Sequence, residues 1–130
     1  MARILIVDDD RDVAATLRFM FERDGHEITT AFDGLEALAA LGIEPPDPAK
    51  KLPSLAILDV MMPRMDGLEV GERMYADPRT RDVPVVLLTA QDGMDERDSR
   101  APNIADRVAK PFDPRHLREI AAGILQLAGE

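Results

Sequence analysis

The side chains best suited to chemistry in this chain stand directly after short apolar runs. Asp8, Asp9 and Asp10 close ILIV, Asp59 closes LAIL, Thr89 closes VVLL, and Lys110 followed by Pro111 closes RVA. Carboxylates crowded into one crevice repel, so they either raise a pKa or recruit a cation. The chain has no Cys, and His26 and His116 are its only imidazoles. The cation suited to such a cluster is therefore a hard, oxygen-preferring one such as Mg2+. Mg2+ keeps several waters and takes one or two carboxylates, which leaves positions for phosphoryl oxygens. A Lys and a hydroxyl can stabilise the remaining phosphoryl charge. An Asp in that setting is a competent acceptor of a phosphoryl group. An acidic triplet alone is often only a solvated turn; its combination with Asp59 and Lys110 is what points to ligand chemistry.

Such a constellation needs a scaffold that gathers strand ends. Five apolar, β-branched runs, Arg3–Val7, Glu27–Phe32, Leu55–Leu58, Val83–Leu88 and Arg107–Ala109, alternate with segments of helical period. The runs Ile4–Val7, Leu55–Leu58 and Val85–Leu88 lack polar alternation, the pattern of strands buried on both faces of a parallel sheet. The spacing predicts helices over Arg11–Arg23, Leu35–Leu41, from Asp66 to before Asp77-Pro78, and Pro114–Leu127, with a short or frayed one in Gly93–Asn103. Val13, Leu17, Met20 and Phe21 form the core stripe of the first helix; Leu117, Ile120, Ile124 and Leu127 form that of the last, with Leu125 pointing away. Phe19 lies about 200° from Leu17 on the helical wheel, opposite the core stripe. The Pro-rich stretch Glu44–Pro53 reads as a surface loop. The result is an α/β fold in which ligands gather beyond the carboxyl ends of the strands.

Composition narrows the function further. At 130 residues and 45% hydrophobic content the chain can fill one core and is expected to form a single domain over residues 1–130. Its 16 Lys and Arg against 25 Asp and Glu give a net charge of −9, and no basic cluster is present to meet nucleic-acid phosphates. The ILIV run is too short for a signal or membrane-spanning segment, so a cytoplasmic location is expected. Neither His has a second ligand at metal spacing, and both are expected to be surface or packing residues.

The segments ILIVDDD, LAILDVMMPRMDG, VVLLTA and AKPF, in that order, resemble the receiver domain of bacterial two-component response regulators over essentially the whole chain. DVMMPRMDG is the most specific of the four. The resemblance implies a flavodoxin-like (βα)5 three-layer sandwich with a parallel five-stranded sheet in order 2-1-3-4-5. It also implies roles. Asp59 would be the phosphoacceptor, Asp8, Asp9, Asp59 and the backbone carbonyl of Met61 would bind Mg2+, and Thr89 and Lys110 would grip the phosphoryl oxygens. Pro111 would follow Lys110 through a cis peptide bond. A histidine kinase or a histidine phosphotransfer protein would donate, and a downstream protein target would read the change, with no direct nucleic-acid or membrane partner. Such a module modifies itself and is not otherwise an enzyme. With no linker left after the last helix, a natural single-domain regulator is expected.

The sequence departs from this family at Arg107, where an aromatic residue that swings inward is usual. A guanidinium is costly to bury unpaired, so Arg107 is expected at the surface, paired with Asp106 or another acid, with output carried by Gly93–Asn103. Two positions tune phosphoryl lifetime in the family: apolar Met61 suits shielding from water and Gln91 suits orienting one, which leaves the lifetime open. Phe19 is expected to anchor the donor's helical bundle on the first helix. Three other readings compete. A haloacid-dehalogenase-type phosphohydrolase would use Asp8 as nucleophile, yet little chain follows Lys110 to supply its further acidic loop. A flavin-binding protein would need phosphate-friendly groups where three aspartates stand. A pseudo-receiver would dock partners without phosphorylation, which the full Asp, Thr and Lys set disfavours.

Overall fold

A computed structural model describes residues 2–90 and 102–127. Five strands, β1 (Arg3–Val7), β2 (Glu27–Ala31), β3 (Leu55–Asp59), β4 (Val85–Ala90) and β5 (Ile104–Lys110), form one parallel sheet in order β2-β1-β3-β4-β5. Among the described residues four helices accompany it: α1 (Arg11–Arg23), α2 (Gly34–Ala40), α3 (Gly67–Ala76) and α4 (Pro114–Leu127). The expected Gly93–Asn103 helix and Gln91 fall largely or wholly outside the described residues.

Each apolar strand feeds two cores, because successive side chains leave opposite faces of a pleated strand. Ile4, Ile6, Ile57 and Leu88 pack with Leu17 and Phe21 of α1 and with Leu117, Ala121 and Leu125 of α4. Leu5, Val7, Ala56 and Leu87 pack with Leu38 of α2 and with Leu68, Val70 and Met74 of α3. This two-sided burial explains why β1, β3 and β4 carry no polar alternation. β4 begins after Pro84, not at Val83, because Pro has no N–H for the ladder; its carbonyl still accepts from Ala56 at 3.0 Å.

Aspartates start the first three helices. The side chain of Asp10 accepts from the N–H groups of Asp12 and Val13, Asp33 from Glu36, and Asp66 from Glu69. Asp10 and Asp33 follow β1 and β2 within three residues, whereas Asp66 follows β3 after a turn over residues 60–65. The Pro-rich loop is tied to the body of the molecule by Arg79, whose guanidinium donates to the carbonyls of Leu41 at 3.4 Å and Lys50 at 3.0 Å.

The core stripe of α4 differs from the expected one. Leu125 is 3% exposed and Leu127 is 91% exposed. The stripe runs through Leu117, Ala121 and Leu125 at four-residue spacing, with Ile120 and Ile124 along one edge. Small Ala121, 1% exposed, sits in the middle of this buried stripe. Choosing only the large residues displaced the expected stripe by part of a turn, and Leu127 lies on the final turn, beyond what the sheet covers.

Candidate functional site

The carboxyl ends of β1, β3 and β5 bring Asp8, Asp59 and Lys110 together. Asp8 is fully buried: its Oδ1 accepts from the Asp10 N–H at 2.9 Å and its Oδ2 accepts from Lys110 Nζ at 2.9 Å. Asp59, 3% exposed, sits 3.4 Å from the same Nζ through Oδ1, which also accepts from the Met61 N–H at 3.2 Å. Asp9 is exposed, and one oxygen from each of Asp8, Asp9 and Asp59 lies within 4.8 Å of the others. Asp10, the third member of the triplet, does not join them because its carboxylate caps α1.

Burial pushes the Asp59 carboxyl up to about 7, with the adjacent Asp8 charge adding to the rise and Lys110 opposing it. Burial acts to lower Lys110, but the hydrogen bond to Asp8 and the charges of Asp59 and Asp8 outweigh it and hold the ammonium above its usual range. One ammonium thus faces two buried carboxylates, which leaves an unbalanced negative charge. The donors are all hard oxygens and one of them is open to solvent, which fits a hydrated divalent cation of the Mg2+ type.

The backbone after β3 holds Asp59 in place. Val60 donates to the Leu88 carbonyl at 2.9 Å, and the Val60 carbonyl accepts from Met62 at 3.2 Å and Gly67 at 3.1 Å. Arg64 takes the turn with φ at 70°. Gly67 packs so closely that a Cβ there would lie 2.3 Å from the Asp59 carbonyl oxygen. The glycine closing DVMMPRMDG is therefore a packing requirement of the Asp59 backbone. Thr89 is buried at the end of β4, beside Leu88, which pairs with Asp59, and opposite Ala109 of β5. The Lys110–Pro111 peptide bond is cis, as the resemblance implies.

Above these groups opens a cleft of about 1050 Å3. Its floor is charged, with Asp9, Asp59 and Lys110, and its wall is built from Val13, Thr16, Leu17, Pro111, Phe112 and Pro114. Val13 and Leu17, expected only in the core stripe of α1, also form part of this wall. Their place in the first two turns of α1, opposite the Lys-Pro-Phe turn, was the available signal.

Phe19 is 64% exposed on α1, with Arg23 stacked 5.8 Å from its ring. Arg107, expected at the surface, is half-buried on β5, and the Asp106 carboxylate accepts from its backbone N–H at 2.7 Å. β5 runs longer than the apolar run that announced it, and within it Arg107 pairs with Leu87 of β4. His26 packs against Phe21 and accepts from the Ala2 N–H at 3.1 Å through Nδ1, a structural role.

Residues 4–122 match the response regulator receiver domain. The chain belongs to that family. Among its receiver-domain relatives, response regulator PleD of Caulobacter vibrioides is 41% identical over 113 residues, covering 86% of this chain and 23% of PleD. The alkaline phosphatase synthesis transcriptional regulatory protein PhoP of Bacillus subtilis is 34% identical over 125 residues, covering 95% of this chain and 48% of PhoP. The chain thus spans less than half the length of these curated relatives. A receiver from Chloroflexus aurantiacus superposes with a TM-score of 0.82 at 34% identity over 96% of this chain and 98% of that one. Chemotaxis protein CheY4 of Vibrio cholerae gives 0.83 at 26% identity over 95% and 98%. Receiver domains are signalling modules that work with histidine kinases and downstream effectors, and the phosphohydrolase, flavin-binding and pseudo-receiver readings are not favoured. Among the described residues no helix is long and apolar enough to cross a membrane.

Proposed function

We propose that this receiver accepts a phosphoryl group on Asp59 from a phosphohistidine donor, loses it by hydrolysis, and alters its partner-binding surface in between. The observation that carries the proposal is a buried Asp59 at the floor of an open cleft, with an ammonium 3.4 Å away and two further carboxylates beside it. Asp8 suits a supporting role better than a nucleophilic one, since both its oxygens are already engaged.

A carboxylate oxygen of Asp59 attacks phosphorus in line with the donor's P–N bond. An O–P bond forms, the P–N pair returns to the imidazole nitrogen, and that nitrogen takes up a proton from solvent. Lys110 and Thr89 then stabilise the phosphoryl oxygens. Hydrolysis reverses the modification: water attacks phosphorus, the acyl O–P bond breaks, and the Asp59 carboxylate and inorganic phosphate result. The chain thus catalyses its own modification and turns over no other substrate. Asp8, Asp9, Asp59 and the Met61 backbone carbonyl would hold Mg2+. When bound, the ion would offset the crowded carboxylates and the phosphoryl charge. The surroundings of this chemistry are expected to be cytoplasmic, and the domain comprises residues 1–130.

Intact mass after incubation with acetyl phosphate tests the proposal. Wild type with Mg2+ is expected to gain one phosphoryl group, EDTA to suppress it, Asp59→Asn to abolish it and Asp8→Asn to weaken it. An adduct that persisted in Asp59→Asn would sink the assignment, and no adduct in wild type at short times would restore the pseudo-receiver reading.

A further inference from the structure

Met61 stands two positions beyond Asp59 and turns its side chain to solvent at the cleft. It is 69% exposed, whereas Met62 is 8% exposed, Met74 is fully buried and Met20 and Met65 are half-buried. Met61 lines the cleft together with Asp59 and Lys110, and its N–H is bonded to the Asp59 carboxylate. In a chain without Cys, an exposed thioether is the group most open to peroxide.

We infer that Met61 is a redox-modification site, where oxidation by a peroxide-class oxidant to the sulfoxide shortens the life of the phosphorylated state. The inference rests on Asp59 as phosphoacceptor. A sulfur lone pair attacks a peroxide oxygen, the S–O bond forms and the O–O bond breaks. The proton on the transferred oxygen passes to the departing hydroxide, which leaves as water. Sulfur loses two electrons and peroxide gains them. A thiol-dependent sulfoxide reductase returns the thioether.

The change replaces an apolar atom at the rim with a strongly dipolar acceptor. The thioether offers water almost no hydrogen bond beside Asp59, whereas the S=O group accepts one and holds the water next to the phosphoryl group. The backbone N–H that positions Asp59 is untouched, so phosphoryl acceptance persists while hydrolysis quickens.

The test uses the full chain treated with hydrogen peroxide. Peptide mass locates the added oxygen, and decay of the phosphorylated species after acetyl phosphate and Mg2+ is followed in acid quench. Oxidised wild type is expected to decay about three- to tenfold faster, the worth of one added hydrogen bond. Met61→Leu should show one decay rate before and after peroxide, and Met61→Gln, which carries an acceptor at the rim, should decay fast without peroxide. Met94→Leu should respond as wild type does. Oxidation that spares Met61, or an unchanged decay rate once Met61 is oxidised, overturns the inference alone. Absence of any adduct in untreated protein overturns the Asp59 reading and the inference with it, while the peptide mass still reports oxidation at Met61.

Discussion

Asp59, the proposed phosphoacceptor, is buried at a cost to the fold that can be measured. Its carboxyl is raised from 3.8 to about 7, so between those values the folded protein holds a proton that the unfolded chain has released. Without a divalent cation, stability should fall as pH rises from about 4 to about 7 and stay lower above that. Asp59→Asn removes the penalty. In EDTA, urea unfolding is expected to show the variant more stable than wild type at pH 8 by on the order of 2 kcal/mol, with no gain at pH 4. Adding Mg2+ should stabilise wild type and narrow the difference; equal stabilities at pH 8 in EDTA would mean that burying the Asp59 charge beside Asp8 costs the fold nothing. Asp8, Asp9, Asp59, Thr89 and Lys110 were legible in the sequence because each closes an apolar run at a strand end. The division of labour inside the triplet was not, since whether an Asp caps a helix or faces the cleft depends on backbone direction. Arg107 was expected at the surface and is half-buried, in a strand that extends beyond its apolar core, Val108, to charged residues that no local pattern marks as strand.

Among the elements, three glycines separate positions the site requires from positions it does not. Gly67 opens α3 against the Asp59 carbonyl, where a Cβ would come within 2.3 Å of backbone oxygen. Gly67→Ala is expected to destabilise by about 2–4 kcal/mol and to impair phosphorylation, because backbone must move to admit the methyl group. At Gly34 the nearest atoms would be Cβ, Cγ and Sδ of Met65, at 2.8 Å; the outer two can turn away while Cβ must shift, so Gly34→Ala should cost less than Gly67→Ala, where backbone oxygen and carbon are met. Gly123, on the exposed face of α4, meets nothing within 4 Å. Gly123→Ala is expected to raise stability by about 0.5–1 kcal/mol with phosphorylation unchanged, through reduced freedom of the unfolded chain. Denaturant midpoints of the three variants check the ranking. The bounds of α1 and α4 were legible because Asp10, Gly25 and Pro114 mark them. The face that α4 buries was not, because its middle position is the small residue Ala121, which the pattern of large apolar residues does not mark.

At the scale of the whole molecule, the exposed Phe19 lies on α1, the helix that also supplies Val13, Thr16 and Leu17 to the cleft wall. A protein donor entering the cleft toward Asp59 would meet the wall that this helix supplies, whereas a small acyl phosphate need not touch Phe19. Phe19→Ala is therefore expected to slow phosphotransfer from a histidine-bearing protein donor by about tenfold, the order of one buried aromatic anchor, and to leave acetyl phosphate labelling intact. Equal slowing of both reactions would contradict that role. The sheet order was legible through resemblance and not from periodicity, which gives strands but not their neighbours. The most direct test of the account is to locate the phosphoryl group itself. Reduction of the phosphorylated protein with borohydride converts an aspartyl phosphate to homoserine, which peptide sequencing by mass spectrometry places in the chain. The account predicts homoserine at position 59 and at no other aspartate. Homoserine at position 8 would contradict it and return the nucleophile to the first strand.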